Sequence, residues 1–145
     1  MVYARNKKAS FDYFLETRYE AGIELVGTEV KSIKLGKVSI KESFVRIIKN
    51  EVFILNMNVT GYEYGNIHNI DEKRARKLLL NKKEIEKLKE KTSIKGYTIV
   101  PVSIYSKNRL VKVEIALAKG KKNYDKRESL KEKTIKREIE REHRN

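Results

Sequence analysis

Cysteine and tryptophan are both absent from this 145-residue chain, which has one proline and two histidines. The lack of cysteine excludes disulfides, thiolate metal ligands and a cysteine nucleophile, and it suits a reducing cytoplasm. No apolar run approaches the roughly 18 residues that a membrane-spanning helix needs. Residues 1–8 contain no apolar segment of the kind found in secretory signals. We therefore expect a cytoplasmic protein with no membrane partner.

Groups that could perform catalysis are also scarce. His68 falls in a predicted loop and His143 near the C-terminus, and neither has a second histidine at metal-binding spacing. Glycine-rich phosphate loops and nucleophile elbows are missing. The carboxylates of Glu138 and Glu140 fall on opposite sides of a predicted helix, which does not suit a two-metal site. The sequence therefore predicts a protein that is not an enzyme and has neither a metal nor a cofactor.

Positive charge is what the chain has in excess. Its 34 Lys and Arg residues against 20 Asp and Glu residues give a net charge of +14. Such a surplus favours polyanionic partners, of which nucleic acid is the most common. The cationic residues form four clusters, namely Arg5–Lys8, Lys73–Lys77, Lys82–Lys91 and Lys119–Arg127.

The four clusters do not carry equal weight. Glutamates alternate with the lysines of Lys82–Lys91, so we interpret that cluster as a solvated helix face. Lys119–Arg127 combines five cations with Tyr124, a combination of phosphate neutralisation and base stacking that favours RNA. After Lys73–Lys77 come Leu78–Leu80, which are either core residues or an exposed platform for an unstacked base.

Hydrophobic periodicity predicts a β-rich fold. The predicted strands are Phe11–Glu20, the hairpin Ser43–Lys49 and Val52–Val59, Tyr97–Tyr105, and Leu110–Ala118. On Val52–Val59 the alternation predicts that the buried residues are Phe53, Leu55, Met57 and Val59. On Leu110–Ala118 it predicts that the buried residues are Val111, Val113, Ile115 and Leu117. Pro101 indicates a sheet edge or a bulge.

Two short helices complete this prediction. One runs from Thr28, as its N-cap, to Leu35, and the other begins at Asn81 with Glu84 completing a capping box. Five or six strands with two helices and no βαβ alternation indicate a compact antiparallel barrel. We place this domain at residues 1–120, with a basic arm over 1–9. Residues 121–145, with ten Lys and Arg and six Asp and Glu residues, are predicted to be a tail that is disordered when free.

Several short blocks, in unbroken order from about Arg5 to about Arg141, resemble one family. These blocks are Asn6-Lys7-Lys8-Ala9, Tyr19–Gly22, Gly27–Ser32, Lys77–Asn81, Val113–Lys122 and Asp125-Lys126-Arg127. The chain is similar to small protein B, the SsrA-binding (tmRNA-binding) family of bacterial trans-translation. It departs from the family at Tyr124, where histidine is common, and at Ile135, where tryptophan is common.

The resemblance implies an OB-like antiparallel β-barrel with two to three peripheral helices, and an adaptor that delivers tmRNA to stalled ribosomes. It implies as partners the tRNA-like domain of tmRNA, alanyl-tRNA synthetase and elongation factor Tu on the same RNA, and the ribosome. The residues expected to bind tmRNA come from the resemblance and from the basic run that follows the predicted strand Leu110–Ala118. They are Asn6, Lys7, Lys8, Glu20, Gly22, Lys31, Lys77, Leu79, Lys112, Lys119, Gly120, Lys121 and Lys122.

The tail has its own expected role. The resemblance implies that it enters the empty mRNA channel and decoding centre of the small subunit and becomes helical there. The residues expected to bind the ribosome are Tyr124, Asp125, Lys126, Arg127 and Lys131.

Two alternatives remain open at this stage, an rRNA-binding OB protein of the ribosomal or initiation-factor type and an RNA-processing nuclease. Glu20 is an unexpected member of a phosphate-binding set. It either accepts a hydrogen bond from a base or ribose, positions a neighbouring lysine, or is simply solvated.

Overall fold

The fold is a curled antiparallel sheet with three helices, seen in a computed structural model that describes residues 1–61 and 71–121. The main sheet has the strand order β1-β8-β9-β2-β7-β5-β4, and β3 pairs with β6 separately. β4 approaches β8, which brings the two ends of the sheet towards each other. The strands are β1 Val2–Arg5, β2 Tyr13–Ile23, β3 Val38–Ser39, β4 Phe44–Ile48, β5 Glu51–Leu55, β6 Asn58–Val59, β7 Arg76–Leu79, β8 Tyr97–Lys107 and β9 Leu110–Gly120.

The predicted mainly β class with peripheral helices is confirmed, and the three helices of the described residues are within the two to three expected. Their nine strands exceed the five or six predicted. Within these residues, no helix has the length and apolar character needed to cross a membrane. Most of the predicted loop Gly61–Asp71 and residues 122–145 lie outside the described ranges. The domain boundary at residue 120 and the tail's disorder therefore stay predictions.

The helices are α1 Ala9–Asp12, α2 Gly27–Lys34 and α3 Lys82–Thr92. The capping box of α3 is confirmed, because the Glu84 N–H donates to Asn81 Oδ1 at 2.9 Å and the Asn81 N–H donates to Glu84 Oε1 at 3.1 Å. The predicted cap of α2 at Thr28 is wrong. Its first free N–H, that of Val26, donates instead to Glu29 Oε1 at 3.0 Å. Glu29, the third residue of the helix, thus satisfies the N–H of the cap residue itself, whereas a capping hydroxyl would accept from an N–H two or three residues further on.

The β4–β5 hairpin forms at the predicted position. Lys49 and Asn50 have φ values of 50° and 64°, as a two-residue turn with the twist of the strands requires. The buried face of β5 was predicted wrongly: Val52 and Ile54 are fully buried, whereas Phe53 is partly exposed, as is the next predicted residue, Leu55.

The reason is a break in the alternation at Asn56. This residue has a φ of 60°, which ends β5 and changes the direction of the chain. Met57 and Val59 are buried as predicted, but after the break and not as a continuation of the same strand face.

The N-terminal region also differs from the prediction. The supposed arm contains strand β1, in which Arg5 pairs with Ser103 of β8. α1 follows and buries Ala9, so β2 begins only at Tyr13 rather than at Phe11. β2 then continues past Glu20 through the predicted stop, because Ala21 and Gly22 pair with β9.

The β8–β9 hairpin forms the centre of the core. The predicted bulge is present, since the register shifts between Pro101 and Ser103, although β8 lies between β1 and β9 and is not an edge. The inward set of β9 is confirmed, namely Val111, Val113, Ile115 and Leu117. Ala116 and Ala118 on the other face are buried as well, under a smaller cluster that includes Ala9. The part of β9 from Ile115 to Ala118 is therefore buried on both faces.

A charged cluster lies inside this fold. Arg76 on β7 has no exposed surface, and its Nε donates to Glu29 Oε2 at 2.6 Å. Its Nη1 donates to the Met57 carbonyl at 2.6 Å, and the Nε of Arg74 donates to Glu29 at 3.1 Å. A buried guanidinium is tolerated only when such partners replace its water, so this cluster connects α2, β7 and the segment before β6.

The pKa values of the pair follow from that geometry. Burial favours the neutral form of Glu29, but the hydrogen bonds donated by Arg74, Val26 and Arg76 outweigh it, so the pKa of Glu29 lies below its ordinary value. Burial likewise lowers the pKa of Arg76, and the carboxylate of Glu29 opposes that change. Both groups are charged at neutral pH.

We predict that Glu29→Gln lowers the free energy of unfolding by about 3–5 kcal/mol, because it leaves the buried charge of Arg76 uncompensated. Chemical denaturation at pH 7 measures this loss. Glu42→Gln, an exposed change of the same kind, serves as the control and is expected to stay within about 0.5 kcal/mol.

The pH dependence provides a second measure of the same prediction. A carboxyl with a lowered folded-state pKa adds stability above its unfolded pKa of about 4.3, and that stability is lost as the pH falls through the folded pKa. The difference between wild type and Glu29→Gln should therefore shrink in acid. A difference below about 1 kcal/mol at pH 7 would contradict this account of the cluster.

Candidate nucleic-acid interface

Three strands bring residues expected to bind RNA into one row, and a fourth strand extends the row with Tyr105. Tyr105 pairs with Lys112, Lys112 with Gly22, and Gly22 with Leu79. Directly paired residues project to the same side of a sheet, and this side is opposite to the face that buries Val113. We call this side the outer face. It joins residues that are up to 90 positions apart in the sequence, Gly22 and Lys112 among them.

Gly22 and Leu79 are in close contact within the row. A Cβ on Gly22 would lie 3.2 Å from Leu79 Cβ and 3.4 Å from its Cδ1. Leu79 is 47% exposed, while its neighbour Leu78 is buried in the core. The leucine run is therefore divided, and the alternative in which all three leucines are core is wrong, whereas a base-binding role for the exposed Leu79 stays a prediction.

Glu20 lies two residues before Gly22 on the same face. It accepts hydrogen bonds from Tyr105 Oη at 2.6 Å and from Lys107 Nζ at 3.2 Å. These two bonds, that from Tyr105 first, lower the pKa of Glu20. Of the three roles considered for this carboxylate, the geometry favours positioning, because Glu20 orients a phenol and an ammonium group.

The basic segment Lys73–Lys77 is divided in the same way as the leucines. Arg76 is buried, and Arg74 is held by Glu29, so the structure assigns both to the interior cluster. Lys77 is partly exposed, with its Nζ 3.6 Å from a carboxylate oxygen of Glu51. One cation of this segment thus belongs to the outer face.

The N-terminal residues of the expected set have different roles. Asn6 donates from Nδ2 to the Pro101 carbonyl at 3.0 Å and from its backbone to the Val102 carbonyl at 2.8 Å. These two bonds hold the chain against β8 one residue after Arg5, the last residue of β1 that pairs with β8. Lys7 and Lys8 are exposed next to it.

A second group lies at the far end of β9. Lys119 pairs with both Phe14 and Tyr97, and its Nζ is 5.9 Å from the Tyr97 ring centroid. Lys121 Nζ is 5.0 Å from the ring centroid of Phe14, which is 47% exposed. Lys112 and Lys119 are seven residue steps apart along the strand, a distance of roughly 23 Å.

The expected RNA-binding set is therefore not one patch. Glu20, Gly22, Lys77, Leu79 and Lys112 share the outer face, and Lys119, Gly120 and Lys121 lie at the other end of β9. Lys31 is exposed on α2 and belongs to neither group. The remaining predicted residues lie outside the described ranges, namely Lys122, Tyr124, Asp125, Lys126, Arg127 and Lys131.

Sequence reasoning missed the aromatic members of both groups. Tyr105 and Lys107 face Glu20, and Phe14 and Tyr97 accompany the lysines of β9. Alternation along β8 would have put Tyr105 on one face, but only the register shows which residues are next to it. Among residues 1–61 and 71–121, no group of three or more histidine, cysteine or carboxylate side chains could hold a metal ion.

Comparison with known proteins decides the family. The model of the SmpB protein family matches residues 3–145. The chain belongs to the SmpB family.

Curated members of the SmpB family are similar along nearly the whole chain. The SsrA-binding protein of Fusobacterium nucleatum subsp. nucleatum is 59% identical over 145 residues, covering 100% of this chain and 98% of that protein. The SsrA-binding protein of Clostridium kluyveri is 60% identical over 139 residues, covering 96% and 88%.

The fold is similar to a known SmpB structure as well. A chain from the solved structure described as "tmRNA-SmpB: a journey to the center of the bacterial ribosome" superposes with a TM-score of 0.68 at 42% identity. The match covers 87% of this chain and 92% of that one.

We predict that Gly22→Ala is destabilising only while Leu79 is present. The added Cβ lies 3.2 Å from Leu79 Cβ and 3.4 Å from its Cδ1, so Leu79 has to move, whereas a Leu79→Gly background removes both atoms and alanine is then favoured over glycine in a strand. Thermal unfolding of the two single variants and the double variant measures a coupling of about 0.5–3 kcal/mol. Additive effects of the two substitutions would show that the leucine does not constrain this position.

Proposed function

We propose that this chain is an RNA-binding adaptor of ribosome rescue, which binds the tRNA-like domain of tmRNA and brings it to stalled ribosomes. The observation that carries the proposal is the row Lys112–Gly22–Leu79, which unites on one face residues matched to the family's tmRNA-binding set. The relatives named above as SsrA-binding proteins support it, since they are about 60% identical over almost all of the chain.

The outer face is suited to a folded RNA. Lys112 and Lys77 offer ammonium groups for phosphates, and exposed Leu79 offers an apolar surface for a ribose or an unstacked base. Glu20 and Glu114 make the face less uniformly cationic than the net charge suggests. Such a surface recognises shape and hydroxyl groups more than sequence, as expected for a tRNA-like fold.

The second part of the proposal concerns the ribosome. We infer that residues 121–145 enter the vacant mRNA channel of the small subunit, with Tyr124, Asp125, Lys126, Arg127 and Lys131 contacting rRNA. Ordering such a segment costs on the order of 1–2 kcal/mol of backbone entropy per residue, and its ten cations offset this cost through phosphate contacts. Elongation factor Tu and alanyl-tRNA synthetase act on the same RNA in this scheme, and the protein itself performs no catalysis.

The first test is RNA binding by the outer face. We expect Leu79→Ala to weaken tmRNA binding about tenfold and Lys112→Ala to reduce the slope of log affinity against log salt by about one. Gel shifts at several salt concentrations measure both, with Lys83→Ala on α3 as a charge-matched control. Equal affinity of the wild type for tmRNA and for rRNA fragments would favour the rRNA-binding alternative.

The second test separates the two surfaces. Truncation after Asn123 should leave tmRNA affinity nearly unchanged but abolish alanine tagging on stalled ribosomes. Lys126→Ala with Arg127→Ala in the full-length chain should behave as the truncation does. A large loss of tmRNA binding on truncation would contradict the division of labour, and normal tagging by the double variant would contradict the role of the two cations.

A further inference from the structure

A groove lies beside the outer face, between the N-terminal segment and strands β2, β8 and β9. Arg5, Asn6 and Lys7 line one wall, and Arg18 and Tyr105 line the other. Its volume of about 600 Å³ is within the roughly 300–1,000 Å³ typical of small-ligand sites. Of the residues expected to bind tmRNA, Asn6 and Lys7 are the two in its lining.

The walls of this groove are held by main-chain bonds. Arg5 pairs with Ser103, after which the Asn6 N–H donates to the Val102 carbonyl at 2.8 Å. The Asn6 side chain donates to the Pro101 carbonyl at 3.0 Å, at the bulge of β8. The groove is therefore formed before any ligand arrives.

Its charges favour an anionic ligand that also carries donors. Arg5, Lys7 and Arg18 are cationic and exposed, and the one carboxylate in the lining is Glu114. Glu114 accepts from Arg18 Nη1 at 2.9 Å and from Ser103 Oγ at 3.3 Å. A bare phosphate would gain nothing from a carboxylate, whereas a nucleotide can place its phosphate against the cations and donate from an amine or 2′-hydroxyl to Glu114.

Tyr105 supplies an aromatic surface in the same groove. Its hydroxyl donates to Glu20 Oε1 at 2.6 Å, which fixes the orientation of the ring. Burial, and then the hydrogen bond to Glu20, raises the pKa of Tyr105, so the phenol is neutral at physiological pH. An unpaired base can stack on a fixed neutral ring without an ionisation cost.

We propose that this groove binds one unpaired nucleotide of the RNA held on the outer face, with its base on Tyr105 and its phosphate against Arg5, Lys7 and Arg18. Tyr105 pairs directly with Lys112, so the groove continues the row of the outer face without a gap. The inference rests on the proposed tmRNA function and adds a nucleotide site to it. Tyr105 and Arg18 are the two residues that it assigns newly.

The test compares variants of the full-length chain in tmRNA gel shifts. Tyr105→Leu, which keeps an apolar side chain, should weaken binding at least about fivefold, because base–aromatic stacking is lost. Tyr105→Phe keeps the ring and should bind within about threefold of wild type. Arg18→Ala should weaken binding, whereas Lys83→Ala, an equal loss of charge on α3, should not. Circular dichroism checks that each variant is folded.

Chemical probing of tmRNA at saturating protein supplies the site-specific measurement. Wild type and Tyr105→Phe should protect one nucleotide that becomes reactive with Tyr105→Leu, while the protections from the outer face persist. Normal affinity and an unchanged probing pattern with Tyr105→Leu would overturn the groove proposal and leave the tmRNA function intact. Failure of the wild type to bind tmRNA would overturn the proposed function and the groove with it.

Discussion

The carboxylate of Glu29 joins parts of the chain that are more than 40 residues apart in sequence. Arg76 has no exposed surface, so its charge is tolerated only with Glu29 and the Met57 carbonyl in place. The same carboxylate receives the first free N–H of α2. Three residues after Arg76 comes Leu79, the exposed end of β7. The position of that strand in the sheet, and with it the outer face, therefore depends on a charge balance in the interior.

Carboxylates have an equally definite place on the surface. A uniformly cationic face would attract any polyanion, but Glu20 and Glu114 are each engaged by neighbouring donors on this one. They orient Tyr105, Lys107 and Arg18 and lower the local positive potential. Discrimination among RNAs then comes from where donors and rings are held, since the net charge by itself cannot distinguish one polyanion from another.

Features encoded by adjacent residues were predictable from the sequence. The capping box of α3, the turn at Lys49-Asn50 and the inward residues of β9 all depend on spacing along one element, and each is confirmed. Features that depend on partners distant in sequence were not. Asn56, with its positive φ, reverses the predicted face of β5, and nothing in the sequence distinguishes the buried Arg76 from the exposed cations around it.

The candidate site shows the same division. Family resemblance indicated Glu20, Gly22, Leu79 and Lys112 one by one, but not that they are neighbours. The strand register alone supplies that fact, and it adds Tyr105, which no local pattern had marked.

β9 has a mechanical consequence for the two RNA surfaces proposed for this chain. It is bonded to β2 and β8 on either side as far as Gly120, and the Lys121 N–H then donates to the Asp12 carbonyl at 2.9 Å. A strand held on both edges cannot stretch or bend without breaking two ladders of hydrogen bonds at once. β9 is thus an inextensible spacer, and whatever RNA lies against Lys112 is held at a constant distance and angle from the point where residues 122–145 begin.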